Sequence, residues 1–191
     1  KVFNDAQKML QKIIEGRWIT AHGVMGLYPA NSVNHDDIAL YADESRQTPV
    51  LTWHGLRQQT EKQSGKPSRC LADFVAPLLD AQGQPTNLQD YVGVFAVTAG
   101  IGVEKREQAF EASHDDYSAI MLKALADRFA EAFAECMHER VRKDLWGYAA
   151  AESASLDDLI AEKYQGIRPA PGYPACPDHS VKKQMSELLQ C

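Results

Sequence analysis

The backbone of this chain is most tightly constrained over residues 166–179, which read GIRPAPGYPACPDH. Each of the four prolines in this segment fixes its own φ and has no N–H to donate to a sheet. Each proline also pushes the residue before it towards an extended backbone. We therefore predict that Gly166–His179, which we call the strap, is stiff and polyproline-like, with free backbone carbonyls.

The side chains of the strap suit a small molecule that carries a carboxylate and a ring. Arg168 offers a planar guanidinium that matches a carboxylate, and Tyr173 offers a flat face and a hydroxyl. Gly172 has no side chain, so a ligand can approach the backbone there. Two other interpretations stay open. One is a Pro-rich surface loop. The other is a peptide ligand for a proline-reading domain, since Arg168, Pro171 and Pro174 have R-x-x-P-x-x-P spacing.

The composition favours a folded protein that binds neither membranes nor nucleic acids. The chain has 191 residues, of which 45% are hydrophobic, enough for one domain with a core. It has no apolar run of about 18 residues to cross a membrane, and a net charge of −6 argues against nucleic acid. Four widely spaced cysteines indicate reduced thiols and a cytoplasmic location. Cys176 and His179 have C-x-x-H spacing, but no second half-site matches it, so we predict no metal site.

The first part of the chain predicts one helix followed by an antiparallel meander. Apolar residues recur on one helical face over residues 2–15. One or two strands fall within 18–29, followed by a turn at 29–32 and strands at 37–42 and 49–53. Connections of this length favour antiparallel pairing.

The second part of the chain predicts one strand and several helices. We expect a short exposed helix within the polar stretch 56–69 that ends at Gly65, a strand at 91–98, a long helix at 115–145, a short helix from Ser155 and a final helix at 180–189. The strand is apolar without alternation, so we expect both of its faces to be covered and place it at the centre of the sheet. The Gly100–Gly102 turn lacks the third glycine of a dinucleotide-binding fingerprint, which argues against a Rossmann fold.

Some charged residues in these predicted elements indicate helix caps or helix ends. Asp73 lies inside an apolar run, so we expect it to cap a helix or to be buried and hydrogen-bonded. Arg140, Arg142 and Lys143 suit the C-terminal end of the long helix, where cations meet the helix dipole.

Three acids share one face of the long helix. Asp127, Glu131 and Glu135 are spaced four residues apart, so their like charges repel. A solvated face with local pairing to Arg128 explains them without a ligand. Together with the strap, an acidic face would suit a zwitterionic ligand that also carries a ring.

Several stretches of the chain, taken together, resemble the activation domain of cobalamin-dependent methionine synthase. In family order they are LADFVAP at 71–77, GVFAVT at 93–98, HDDY at 114–117, LADR at 125–128, HERVR at 138–142 and the strap. The resemblance implies an α+β fold, with a curved antiparallel sheet flanked by helices in a single domain over residues 1–191. It also implies a fragment that lacks the N- and C-terminal ends of the family's domain.

The resemblance implies a binding module without a catalytic side chain of its own. The residues that it assigns to S-adenosylmethionine are Arg168, Ala170, Gly172, Tyr173 and Glu131. Asp127 matches a position linked to contact with the cobalamin module.

The family's chemistry is the reductive methylation of cobalamin in a methyltransferase of methionine biosynthesis. The methyl group comes from S-adenosylmethionine, and the electron comes from flavodoxin or a flavoprotein reductase. The resemblance assigns cobalamin and zinc to other modules, and the chain lacks the D-x-H-x-x-G pattern that ligates cobalamin. The alternative function is a non-catalytic module that docks a cobalamin domain or a flavodoxin-like partner through the strap.

Overall fold

A four-stranded sheet and five α-helices form the regular structure of the computed structural model, which describes residues 1–63 and 65–191. The strands are β1 (Thr20–Val33), β2 (Asp37–Tyr41), β3 (Pro49–Trp53) and β4 (Asp90–Ile101). The helices are α1 (Val2–Gly16), α2 (Val103–Ala112), α3 (Asp116–Arg140), α4 (Leu156–Ile160) and α5 (Val181–Leu189). The sheet order is β3-β2-β1-β4, and β2 pairs antiparallel with both β1 and β3. The predicted α+β class with an antiparallel sheet is confirmed, and this is not a Rossmann order. None of the described helices is both long and apolar enough to cross a membrane.

The first strand continues through the turn that we predicted at residues 29–32. It reverses instead at Asn34 and His35, which adopt left-handed backbone with φ 51° and 71°. Asn31 is fully buried inside the strand, and its side-chain amide donates to the carbonyl of Ala76 at 3.1 Å. The predicted turn is wrong because a polar residue in this stretch finds its partners within the fold rather than in water.

Contacts within the chain divide it into two compact units. Unit 1 comprises Lys1–Val24 and Ala96–Gln165, and unit 2 comprises Met25–Phe95 and Gly166–Cys191. The core of unit 1 contains buried residues of α1 and α3, as the helical periodicity predicts: Met9, Ile13, Met121 and Leu122. The core of unit 2 contains residues of the sheet, of the short 3-10 helix at Leu71–Phe74 and its N-cap, of the strap and of α5: Ala30, Ile38, Leu40, Trp53, Cys70, Ala72, Cys176 and Val181. The predicted domain boundaries, residues 1–191, stay a prediction.

The strand β4 lies at one edge of the sheet, so its predicted central position is wrong. Its residues are mostly half-buried, and only Val94 is fully buried. An apolar run without alternation therefore indicates that both faces of a strand are partly buried. It does not indicate that the strand has hydrogen-bonded neighbours on both edges.

The predicted helix at 56–69 does not form in residues 56–63 and 65–69, and Ser64 lies outside the described residues. The guanidinium of Arg57 fixes this segment instead. It donates to the carboxylates of Asp36 at 2.7 Å and Asp73 at 2.8 Å, and to the carbonyl of Ser68 at 2.9 Å. Asp73 also accepts from the backbone N–H of Cys70 at 2.9 Å, which confirms the structural role that we predicted for this acid.

The long helix α3 ends at Arg140 and passes into a π-helical turn at Val141–Leu145. Arg142, which we expected near the C-terminal end of the long helix, lies in this turn and has 0% of its surface exposed. Its guanidinium donates to both carboxylate oxygens of Glu152 at 2.6 and 2.8 Å and lies 2.8 Å from Nδ1 of His138. The same group lies 4.3 Å from the ring centroid of Tyr164. An arginine can only donate, so Nδ1 of His138 is the acceptor.

The buried pair of Arg142 and Glu152 predicts a large loss of stability when one partner is removed. Arg142→Ala should lower the free energy of unfolding by about 3–5 kcal/mol, because Glu152 would stay largely buried without its partner. Lys143→Ala is the matched control, since its pair with Glu139 is about one-third exposed to water and should contribute only about 0–1 kcal/mol. Urea unfolding of both variants measures the difference. Equal losses in the two variants would contradict the prediction.

The lowered carboxyl pKa values predict that the protein loses stability in acid. The hydrogen bonds from Arg57 lower the pKa of Asp73, and those from Arg142 lower the pKa of Glu152. Each pair therefore stabilises the fold fully above the unfolded-state pKa of about 4, and this stabilisation is lost as the pH falls through the folded-state pKa. Urea unfolding between neutral and acid pH should show this loss. Asp73→Asn should weaken the acid dependence, and an unchanged dependence in this variant would contradict the prediction.

Candidate binding site

Residues 170–176 of the strap form a compact turn rather than an extended segment. The N–H of Tyr173 donates to the carbonyl of Ala170 at 3.0 Å, and the N–H of Cys176 donates to that of Tyr173 at 2.9 Å. The N–H of Gly172 donates to the carbonyl of Cys176 at 2.8 Å. Gly172 permits the reversal because its φ is +105°, in the left-handed region that favours glycine. The prediction of free carbonyls is therefore wrong for Ala170, Tyr173 and Cys176, whose carbonyls accept these hydrogen bonds.

The four strap residues that we assigned to a ligand lie in this turn and directly before it. Arg168 and Ala170 are half-buried and lead into the turn. Gly172 is exposed at the reversal, and Tyr173 follows with 49% of its surface exposed. A guanidinium, an open stretch of backbone and the face of a phenol ring thus lie within six consecutive residues of unit 2.

The two acids that we assigned to binding or docking lie on α3, in unit 1. Asp127 and Glu131 are both exposed and are one helical turn apart, as the spacing predicts. Glu135, a further turn along, is half-buried. The structure therefore groups the assigned residues into two sets, four on the turn and two on the helix, and the role of each stays a prediction.

His179 packs against this turn, and the sequence did not predict that contact. A Cβ placed on Gly172 would lie 2.5 Å from Cε1 and 2.7 Å from Nε2 of the His179 ring. The imidazole therefore occupies the space next to the glycine. The only signal in the sequence was local: Asp178 precedes a serine by two residues, and its carboxylate accepts from the N–H and Oγ of Ser180 at 2.8 and 2.7 Å.

Cys176 has a structural environment that does not suit a metal ligand. It is buried in the core of unit 2 with Cys70 and Val181. Burial raises the pKa of the Cys176 thiol, and the nearby carboxylate of Asp178 adds to the effect, so the thiolate that a metal needs is disfavoured. Over residues 1–63 and 65–191, no three His, Cys, Asp or Glu side chains form a group that could hold a metal ion.

Two comparisons relate the chain to known proteins. Residues 1–191 match a family model described as vitamin B12 dependent methionine synthase, activation domain. The chain is also similar to a solved structure, the crystal structure of the MetH reactivation domain bound to AdoHcy, with 54% sequence identity and a TM-score of 0.86. The match covers 99% of this chain and 56% of that chain, so this chain spans a little over half the length of the solved one.

The burial of the four free cysteines predicts two classes of thiol reactivity. Cys136 and Cys191 are exposed and should react quickly with a disulfide reagent such as Ellman's reagent. Cys70 and Cys176 are buried and should react only as the fold opens. Absorbance should show two fast thiols in the native protein and four in denaturant. A fast phase that persists in the Cys136→Ser/Cys191→Ser variant would contradict the burial of the other two.

Proposed function

Because the chain belongs to the family of vitamin B12 dependent methionine synthase activation domains, we propose that it binds S-adenosylmethionine and supports the reactivation of a cobalamin cofactor. One observation carries this proposal. A reactivation domain that is 54% identical over 99% of this chain binds AdoHcy. AdoHcy, S-adenosylhomocysteine, differs from S-adenosylmethionine only in lacking the transferable methyl group and its positive charge.

The chemistry of the assigned residues fits this ligand. S-adenosylmethionine carries a carboxylate, an ammonium, a sulfonium and an adenine ring. Arg168 offers a planar fork for the carboxylate, and the half-exposed Tyr173 offers a ring face for the adenine or the ribose. The exposed carboxylate of Glu131 suits the cationic part of the ligand. The half-buried Ala170 and the exposed Gly172 would contribute their backbone to the floor of the site, on the side of Gly172 that the His179 ring does not occupy.

The task of this chain is then to hold and orient the ligand. S-adenosylmethionine supplies a methyl group on an activated sulfur, and cobalamin on another module supplies the metal-centred nucleophile. Fixing the ligand by its carboxylate at Arg168 and by its ring at Tyr173 leaves the sulfur between two anchored ends. Such anchoring lowers the entropic barrier to a transfer between two reactants.

The proposal extends to the enzyme of which this chain would be one module. That enzyme would be a methyltransferase of methionine biosynthesis in the cytoplasm, with cobalamin and zinc bound by its other modules. Asp127, exposed one turn before Glu131, would contact the cobalamin module. Flavodoxin or a flavoprotein reductase would donate the electron. Family membership does not favour the alternative of a docking module that binds no nucleotide.

Titration calorimetry of the protein with S-adenosylmethionine and with AdoHcy tests this function. Both should bind. Arg168→Ala should weaken both affinities by about 10-fold to 100-fold, the effect expected for a lost charge-assisted hydrogen bond of about 1.5–3 kcal/mol. Glu131→Gln should weaken S-adenosylmethionine more than AdoHcy if its carboxylate faces the sulfonium.

The matched control for the binding test is Arg69→Ala, which removes an exposed arginine of the same unit whose guanidinium lies over the ring of Phe74. The Arg69→Ala variant should bind S-adenosylmethionine and AdoHcy with the affinities of the unaltered protein. If neither ligand binds the unaltered protein, or if Arg168→Ala binds as the control does, the proposal is wrong.

A further inference from the structure

We infer that His179 is a positioning residue of the proposed S-adenosylmethionine site, whose ring holds the turn at Gly172 in the shape that accepts the ligand. The inference rests on the proposed function. The proposal includes no bond made or broken by His179, and it assigns the ring no contact with the ligand.

The geometry at Gly172 is the first observation. The edge of the His179 ring formed by Cε1 and Nε2 fills the space that a Cβ would occupy, at 2.5 and 2.7 Å. Gly172 is therefore constrained in two ways, by its φ of +105° and by the ring beside it. The residue is still exposed, so one side of its backbone faces the imidazole and another stays open. A ligand that approaches this backbone does so on the open side.

The support of the ring is the second observation. Upstream, Cys176 is buried in the core of unit 2 and accepts from the N–H of Gly172 at 2.8 Å. Downstream, Val181 is buried in the same core as the first residue of α5. Between them, the carboxylate of Asp178 accepts from the N–H and Oγ of Ser180 and closes a tight local turn. His179 is thus anchored on both sides, and a residue anchored in this way can fix the position of a flexible neighbour.

Because His179 is exposed, its positioning role in binding can be distinguished from a role in the stability of the fold. The residue is exposed and lies outside the apolar core, so removing its side chain should leave the urea unfolding midpoint unchanged. Without the ring, Gly172 keeps its hydrogen bond to Cys176 but loses the contact on its other side, so its backbone can sample more conformations. The turn would then adopt the binding shape less often, and the apparent affinity would fall by the same factor.

Calorimetric titration with AdoHcy of the unaltered protein, His179→Ala and His179→Phe tests the inference, with urea unfolding of each. His179→Ala should bind at least about fivefold more weakly with an unchanged unfolding midpoint, as expected when only pre-organisation is lost. His179→Phe, which keeps a flat ring but no nitrogen, should bind within about twofold of the unaltered protein. His35→Asn is the matched control, because His35 is an exposed histidine of the same unit at a left-handed position that asparagine tolerates.

Each other result bears on one proposal or the other. If His179→Ala binds as tightly as the control, the inference is overturned and the proposed function stands. If His179→Phe binds as weakly as His179→Ala while His179→Gln binds normally, the ring nitrogens contact the ligand and the positioning role is overturned. If His179→Ala is unstable, the comparison of His179→Phe with His179→Gln still decides. If the unaltered protein does not bind AdoHcy, the proposed function fails and this inference fails with it.

Discussion

Arg142 is a charge that the fold has fully removed from water. The effective penalty for burying such a group is several kcal/mol, so its surroundings must be built to offset it. The bidentate contact with Glu152, the acceptor nitrogen of His138 and the ring of Tyr164 supply that compensation. These partners come from α3 and from two later points in the chain, so the guanidinium ties the end of the helix to the irregular segment that follows it. Much of the order of unit 1 after α3 depends on this one group.

In unit 2, two arginines of irregular segments also donate several hydrogen bonds each. Arg57 joins Asp36 to Asp73, and its segment forms no helix although its composition suggested one. Arg46 donates to the carbonyl of Ala30 at 3.0 Å and to that of Asp90 at 2.9 Å. A guanidinium offers five donors in a fixed planar geometry, so it can satisfy several carbonyls that a loop leaves without a ladder partner. The segments that carry Arg46 and Arg57 are therefore ordered in large part by side-chain hydrogen bonds.

The parts of the fold that the sequence predicted are those decided by near neighbours. The helix at 2–15 and the strand at 49–53 follow from local periodicity, and the short helix predicted from Ser155 begins there with a capping box formed by Ser155 and Asp158. The parts that were missed depend on distant partners. The fate of residues 56–69 depends on Asp36 and Asp73, and no periodicity reports such pairs. In the candidate site, the spacing of Asp127 and Glu131 follows from the helix alone, whereas the packing of His179 on Gly172 requires the strap to fold back on itself.

The π-helical turn after α3 makes the packing of the following residues depend on the number of residues in the turn. A π turn is an α-helix that holds one additional residue, and here the N–H of Trp146 reaches back five residues to the carbonyl of Val141 at 2.9 Å. Deleting a single residue between Val141 and Leu145 would allow a regular helix to continue. Each helical residue turns the chain by about 100°, so the side chains on the far side of the deletion would face a different direction. At the level of the gene, an in-frame loss of one codon here would favour the local helix and disrupt the packing beyond it. This segment should therefore tolerate substitutions on its exposed side far better than changes in its length.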